Sequence, residues 1–327
     1  MRVAVIVPIR DAEGLLAECL ATVAAQTRQA DQILLVVAPS SDGSMALARR
    51  LSGRSTVVLE NAAGDRASAI NIALLEARAE FIAMVDAQSR LAPDYLEAAL
   101  VAFDRHSADV VGGPMRPRGR SAIGRAMATA LRSPFGIGDS QFHLVGGARE
   151  AESVYLGVYR SSVFERVGLY NPRLLRTEDD DMNARIREAG LRIWLDPTIR
   201  STYLCRDSLR AVWRQYFGYG YWKVALATAR PGAIRLRHLV PALFVVGLVT
   251  AGAISLVWWW PALPLVLVLY LIAGWMAALL LPGESVLIRL LFPVVTFTMH
   301  LAYGIGTLRG LLAWSHLRSL VREGAGE

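Results

Sequence analysis

The sequence predicts a parallel α/β sheet covered by helices on both faces, followed by membrane-spanning helices at the C-terminal end. Two observations carry this. Over the first 85 residues, strand-like apolar runs alternate with helix-like amphipathic stretches at short spacing, the pattern of a parallel sheet with crossover helices. Residues 239–260 and 261–281 then run for 22 and 21 positions without a charge, and about 20 apolar residues suffice to cross a hydrocarbon core of ~30 Å.

The elements follow in order. Residues 3–8 form a buried-strand run, and Leu15, Leu16, Cys19, Leu20 and Val23 make a helical stripe. Strands are expected at 33–37, 56–59 and 81–85, with helices at 45–51 and 67–77 between them. In open sheets of this kind ligands bind beyond the carboxyl ends of the strands, which makes the loops 8–11, 38–43, 61–66 and 86–90 one candidate surface. From Gly112 onward the pattern weakens: Pro114, Pro117, Gly119, Pro134, Gly136 and Gly138 predict irregular connections. Residues 139–149 read as a loop and 153–159 as a strand.

Charge and composition narrow the class. Of the net charge of +7, residues 239–327 carry only +1, so the remaining +6 lies in the part that reads as soluble. Residues 290–308 are a third hydrophobic segment, apolar except for His300. Seven basic residues, Arg206, Arg210, Arg214, Lys223, Arg230, Arg235 and Arg237, face a single acid, Asp207, just before the first span. Six aromatic residues, Trp213 to Trp222, are interleaved with them. An anionic lipid surface attracts such a stretch; nucleic acid is not the expected partner beside two spans. Positive flanking charge places this end in the cytoplasm, and Arg309, Arg318 and Arg322 favour the same side for the C-terminus. The start, Met1-Arg2 before a strand-like run, reads as no signal peptide. Cys19 and Cys205 follow neither a metal nor a disulfide spacing. There is no Gly-x-Gly-x-x-Gly and no Gly-x-x-x-x-Gly-Lys, which removes the main support for a dinucleotide oxidoreductase or a P-loop enzyme.

The densest chemical signal is Thr177-Glu178-Asp179-Asp180-Asp181 at the start of a predicted helix. At ~100° per residue, Met182, Ile186 and Ala189 share an apolar stripe with Glu178 and Asp179 at its edges, while Asp180 points away. These acids are either helix caps, with Thr177 as N-cap, or catalytic groups. Asp86, at the end of the fourth strand, suits a ribose hydroxyl or a divalent ion on a diphosphate, or a plain turn. Asp42-Gly43 reads as a nucleotide contact or a turn, and Asn71 as a site residue or a solvated helix position.

In order, Val7-Pro8, Asp42-Gly43-Ser44, Arg66 to Asn71, Val85-Asp86-Ala87, Glu178-Asp179 and Gln215 to Trp222 resemble the family-two, GT-A-type inverting glycosyltransferases. The blocks Glu152-Ser153-Val154-Tyr155-Leu156-Gly157 and Arg214-Gln215-Tyr216-Phe217-Gly218 resemble the bacterial exopolysaccharide (succinoglycan-type) glucosyltransferase branch, membrane tail included. The resemblance implies a GT-A domain over 1–224, a basic juxtamembrane segment over 225–238 and a membrane domain over 239–327. It implies a nucleotide-sugar donor, a lipid-linked saccharide acceptor, and residence in the inner (cytoplasmic) membrane with the catalytic domain in the cytoplasm. A related possibility is a synthase charging polyprenyl phosphate with one sugar; a non-catalytic docking protein on the same fold is the other.

Asp179 would be the general base that deprotonates the acceptor hydroxyl, with Glu178 holding that base or the acceptor. Pro8, Asp42, Arg66, Asn71, Asp86 and Gln88 would line the donor. Arg214, Gln215 and Trp222 would serve the acceptor and diphosphate. Three features depart from the family pattern. Val37 and Ala38 replace acids, and Asp11-Ala12 replaces Asn-Glu. Gln88 replaces the second Asp of the Asp-x-Asp motif, and a neutral carbonyl is a poor ligand for Mg or Mn. A divalent metal at Asp86 is therefore one option, and diphosphate neutralisation by Arg66, Arg214 or Lys223 is the other.

Overall fold

The computed structural model describes residues 1–138, 146–230, 232 and 234–322, the Arg322 side chain aside. The chain forms two compact units: Met1–Arg116 with Gln141–Tyr203, and Pro117–Ser140 with Leu204–Glu327. Elements run in chain order as β1 (Val3–Ile9), α1 (Glu13–Ala24), β2 (Gln32–Val37), α2 (Ser44–Arg50), β3 (Thr56–Glu60), α3 (Arg66–Glu76), β4 (Phe81–Met84), β5 (Ser89–Leu91), α4 (Tyr95–His106), β6 (Val110–Gly113), β7 (Pro117–Arg118), α5 (Ala122–Ala130) and α6 (Pro134–Ile137). There follow β8 (Arg149–Glu150), β9 (Tyr155–Arg160), α7 (Ser162–Val167), α8 (Glu178–Glu188), β10 (Ile193–Leu195), β11 (Ser201–Leu204), α9 (Leu209–Ala229), α10 (Leu236–Val257), α11 (Ala262–Leu279), α12 (Val286–Leu312) and α13 (Trp314–Arg322).

In the first unit eight strands form one sheet in the order β3-β2-β1-β4-β9-β6-β10-β8. β1 is central and parallel to both neighbours, pairing Val5 with Ile33 of β2 and with Ala83 of β4. Its residues are apolar throughout because both faces are covered, and Ile6, Leu34, Ile70 and Ile82 meet in the core with Tyr170, Met182 and Ile186. Pairing with β4 stops at Met84 with Ile6: the Val85 amide still donates to the Ile6 carbonyl at 2.9 Å, but Pro8 has no N–H to carry the ladder further. The strand expected over 153–159 is β9, but its partners were not legible: it inserts antiparallel between β4 and β6. The first four strands all end at one edge of the sheet, where the expected candidate loops lie.

Two expectations are corrected here. The stretch after Gly112 is not merely irregular, since it contains α5, capped by Ser121, whose side chain accepts from the Gly124 amide. The loop expected over 139–149 ends in β8; its first seven positions lie outside the described residues.

The second unit is helical. Three helices, Leu236–Val257, Ala262–Leu279 and Val286–Leu312, are long and apolar enough to cross a membrane. Trp258, Trp259 and Trp260 belong to the turn after α10 and are half-exposed to exposed. α12 differs from the other two. Its apolar window is 39% buried inside the protein against 17% for each of the others, so much of it packs on protein. Glycines seat it: a Cβ on Gly306 would lie 2.2 Å from the Phe217 carbonyl oxygen of α9, and one on Gly304 would lie 2.2 Å from the Pro241 carbonyl oxygen of α10. Positions two apart on a helix face nearly opposite ways, so α9 and α10 grip α12 from two sides. His300 is turned inward as well, with Nδ1 2.8 Å from the Tyr270 hydroxyl and Nε2 3.4 Å from the Gly136 carbonyl.

Candidate active site

The C-terminal edge of the sheet is closed by two loops that brace one another. Asp11 adopts a left-handed backbone, φ 47°, and its Oδ1 accepts from the Ser41 amide at 2.8 Å and hydroxyl at 3.0 Å. Glu13 Oε2 accepts from the Gly43 amide at 3.0 Å. Asp42 returns the favour, with Oδ2 accepting from the Glu13 amide at 3.0 Å and Oδ1 from the Ser44 amide at 3.1 Å. The Ser44 hydroxyl, its strongest stabiliser, helps to hold the Asp42 carboxyl below its ordinary range. Both Asp42 oxygens are engaged within these two loops, the arrangement of a turn. Asp11, Glu13 and Ser41 were missed as partners, since each pair is about 30 residues apart and carries no local pattern.

Arg66 is the centre of the site. It is the first residue of α3, and Asp65 caps that helix by accepting from the Ser68 amide at 2.7 Å. From there its guanidinium reaches two other elements. Nε and Nη2 both donate to Asp86 Oδ1, at 3.2 and 3.1 Å. Nη1 lies 3.2 Å from Glu178 Oε1 and 3.0 Å from each oxygen of Asp179. One cation thus joins the carboxylate after β4 to the pair opening α8. The capping explanation of the acids fails in one respect, because Thr177 makes no side-chain cap bond.

The two acids of the pair differ sharply in exposure, 6% for the Glu178 side chain and 55% for Asp179. Burial, then the neighbouring Asp179 charge, push the Glu178 carboxyl up to about 7 from 4.5. Its Oε2 is buried without a hydrogen-bond partner, an atom that protonation converts into a donor. Asp179 keeps an open side from which a hydroxyl can be reached. Asp180 is exposed.

A raised carboxyl has a stability signature. Between pH 4.5 and about 7 the folded Glu178 binds more protons than the unfolded one, so its contribution falls as pH rises through that window and is flat above it. Replacing Glu178 by Gln should remove this slope, and the difference between wild-type and variant melting curves over pH 4–8 measures it. A difference curve with no fall across that window would mean that Glu178 is ionised in the folded protein.

Asn71 spends both its amide functions on one backbone residue. Its Nδ2 donates to the Tyr170 carbonyl at 2.8 Å and its Oδ1 accepts from the Tyr170 amide at 2.9 Å. Both amide functions tie α3 to the segment before α8. Beneath Asp86 lie Cys19, whose thiol is 3.5 Å from the Asp86 carbonyl, and Ser89, which shares a 2.6 Å bond with the Tyr155 hydroxyl. Burial pushes both cysteine thiols up to about 12, away from the reactive thiolate form. Arg214, Gln215 and Trp222 lie on α9 in the second unit. Arg214 is exposed, and Gln215 is buried with Nε2 donating to the Tyr219 hydroxyl at 2.8 Å.

A divalent cation does not fit the side chains at Asp86. Its Oδ1 already accepts twice from Arg66, and Gln88 brings no charge. Among the described residues no group of three Asp, Glu, His or Cys side chains could hold a metal ion.

Residues 4–168 match the family model "Glycosyl transferase family 2". The chain belongs to glycosyl transferase family 2. As a family-2 glycosyltransferase it is 28% identical over 293 residues to the succinoglycan biosynthesis protein ExoA of Rhizobium meliloti (strain 1021), covering 86% of each chain. Two solved structures share the GT-A fold. The mannosyltransferase PcManGT of Pyrobaculum calidifontis, in complex with GDP-Man and Mn2+, has a TM-score of 0.58 at 20% identity, over 95% of this chain and 87% of that one. Residues 1–349 of S. aureus TarS, in complex with UDP-GlcNAc, have a TM-score of 0.52 at 16% identity, over 95% and 92%. For the family-2 chain described here, the predicted α/β domain and the C-terminal apolar helices are both present.

Proposed function

We propose that the chain is a membrane-anchored inverting glycosyltransferase. It moves a sugar from a nucleotide-sugar donor to a lipid-linked saccharide acceptor during assembly of an exopolysaccharide or another cell-envelope glycan. The single observation that carries this is the convergence of Asp86, Arg66, Glu178 and Asp179 at the carboxyl edge of the sheet. A displacement at an anomeric carbon needs a base on the incoming hydroxyl and positive charge at the departing diphosphate, and these four side chains supply both within one cluster.

In this reading Asp179 takes the acceptor proton as the hydroxyl oxygen bonds to the anomeric carbon. The bond from that carbon to the diphosphate oxygen breaks on the opposite side, so configuration inverts. Glu178 holds Arg66 and fixes the base from the buried side. Pro8 and the Asp42 turn shape the donor rim through their backbone. The roles of Gln88, and of Arg214, Gln215 and Trp222 on the acceptor side, rest on the motif resemblance. The relationship to ExoA supports a glycan of the exopolysaccharide type. Three helices of spanning length and the basic stretch before them support the inner membrane, with the proposed catalytic domain, 1–224, in the cytoplasm.

The test is label transfer from a panel of nucleotide sugars into solvent-extractable lipid, using membranes that carry the chain. Transfer is expected from one donor in the panel. No transfer from any donor, with lipid acceptors shown to be present, would sink the reading.

A further inference from the structure

We propose that Arg66 is the cation this site offers to the donor diphosphate, so that nucleotide binding needs no divalent metal. The inference deepens the glycosyltransferase reading and rests on it. Its basis is the kind of cation that meets the motif position. One of the two motif positions is the neutral Gln88, which leaves a single carboxylate, Asp86, for a divalent ion. That carboxylate meets the Arg66 guanidinium at 3.1 Å, which also reaches Glu178 and Asp179.

The geometry favours an exchange. A guanidinium binds best through two parallel bonds to two oxygens of one anion. Toward Asp86 it has no such arrangement, since Nε and Nη2 share the single atom Oδ1. Nη1 is divided among Glu178 Oε1 and both Asp179 oxygens. A diphosphate presents pairs of oxygens that suit the fork better than either arrangement. As Arg66 turns to it, Asp179 is relieved of its pairing and becomes the stronger base. Donor occupancy and acceptor activation are then coupled through one side chain.

The experiment is calorimetric titration of the full-length chain in detergent with UDP, GDP, dTDP and ADP, each in excess chelator and in Mn2+. For the nucleotide that binds, wild-type affinity should change less than twofold between the two conditions. Arg66→Gln should weaken binding at least tenfold in both. Arg66→Lys, which keeps the charge but loses the fork, should weaken it severalfold and stay insensitive to chelator; it carries the test if the glutamine variant does not fold. Wild-type binding that falls tenfold or more in chelator would overturn the inference and leave the glycosyltransferase reading standing. Binding undiminished in Arg66→Gln would do the same. Failure of every nucleotide to bind the wild type would remove both.

Discussion

Asp179→Asn should abolish most of the transfer activity, by about 10²–10⁴-fold in turnover, the range set by loss of a general base. Asp180→Asn should change it by less than about threefold, as an exposed surface change does. The two substitutions are chemically identical and adjacent, so the comparison isolates position from charge. Asp179 lies 3.0 Å from the Arg66 fork while Asp180 is exposed. Initial rates at saturating donor, with melting temperatures of both variants as a control for folding, decide it. Equal rates in the two would remove Asp179 as the base.

The second large effect lies in the helical unit. Gly306→Ala should destabilise it by about 3–5 kcal/mol, at the upper end of what single substitutions do. The reason is that the added carbon meets backbone, the Phe217 carbonyl at 2.2 Å, and a backbone cannot swing aside as a side chain can. Gly247→Ala on α10 has nothing within 4 Å and should stay within about 1 kcal/mol of wild type, the size of the glycine helix penalty. Thermal unfolding of both in the same detergent makes the comparison. Similar melting temperatures for the two would mean that α12 is not seated against α9 as described.

What the sequence made legible follows from the range of the interaction involved. The first strands announced themselves because a strand buried on both faces is apolar at every position, as β1 is. The helix opened by Glu178 was readable from its period, and so was the outward direction of Asp180. Arg66 was named only as a donor-side residue. Its meeting with Asp86 and Asp179 spans 20 and 113 positions of chain and has no local trace. Asn71 and Asp42 show the same limit from the other side: Asn71 binds the Tyr170 backbone 99 positions away, and Asp42 reaches the Glu13 amide 29 positions away besides the neighbouring Ser44. For α12, hydropathy registered an apolar run but could not separate lipid-facing from protein-facing surface; the glycines at 304, 306 and 310 were the signal that separates them.

The seating of α12 has a consequence for how the protein is made. α12 packs against every other helix of its unit, α5, α6, α9, α10, α11 and α13. The partners on α5 and α6 leave the ribosome long before it does: Thr129 precedes its partner Glu284, just ahead of α12, by 155 positions, and Gly136 precedes His300 by 164. At about 5–20 residues per second, those early helices wait roughly 10–30 s for the surface that buries them. Met127, Ala130 and Leu131 on and after α5 are buried in the finished protein, and α12, which packs on α5, does not yet exist during that interval. The segment around residues 122–137 therefore completes its packing only after the last apolar helix has been synthesised.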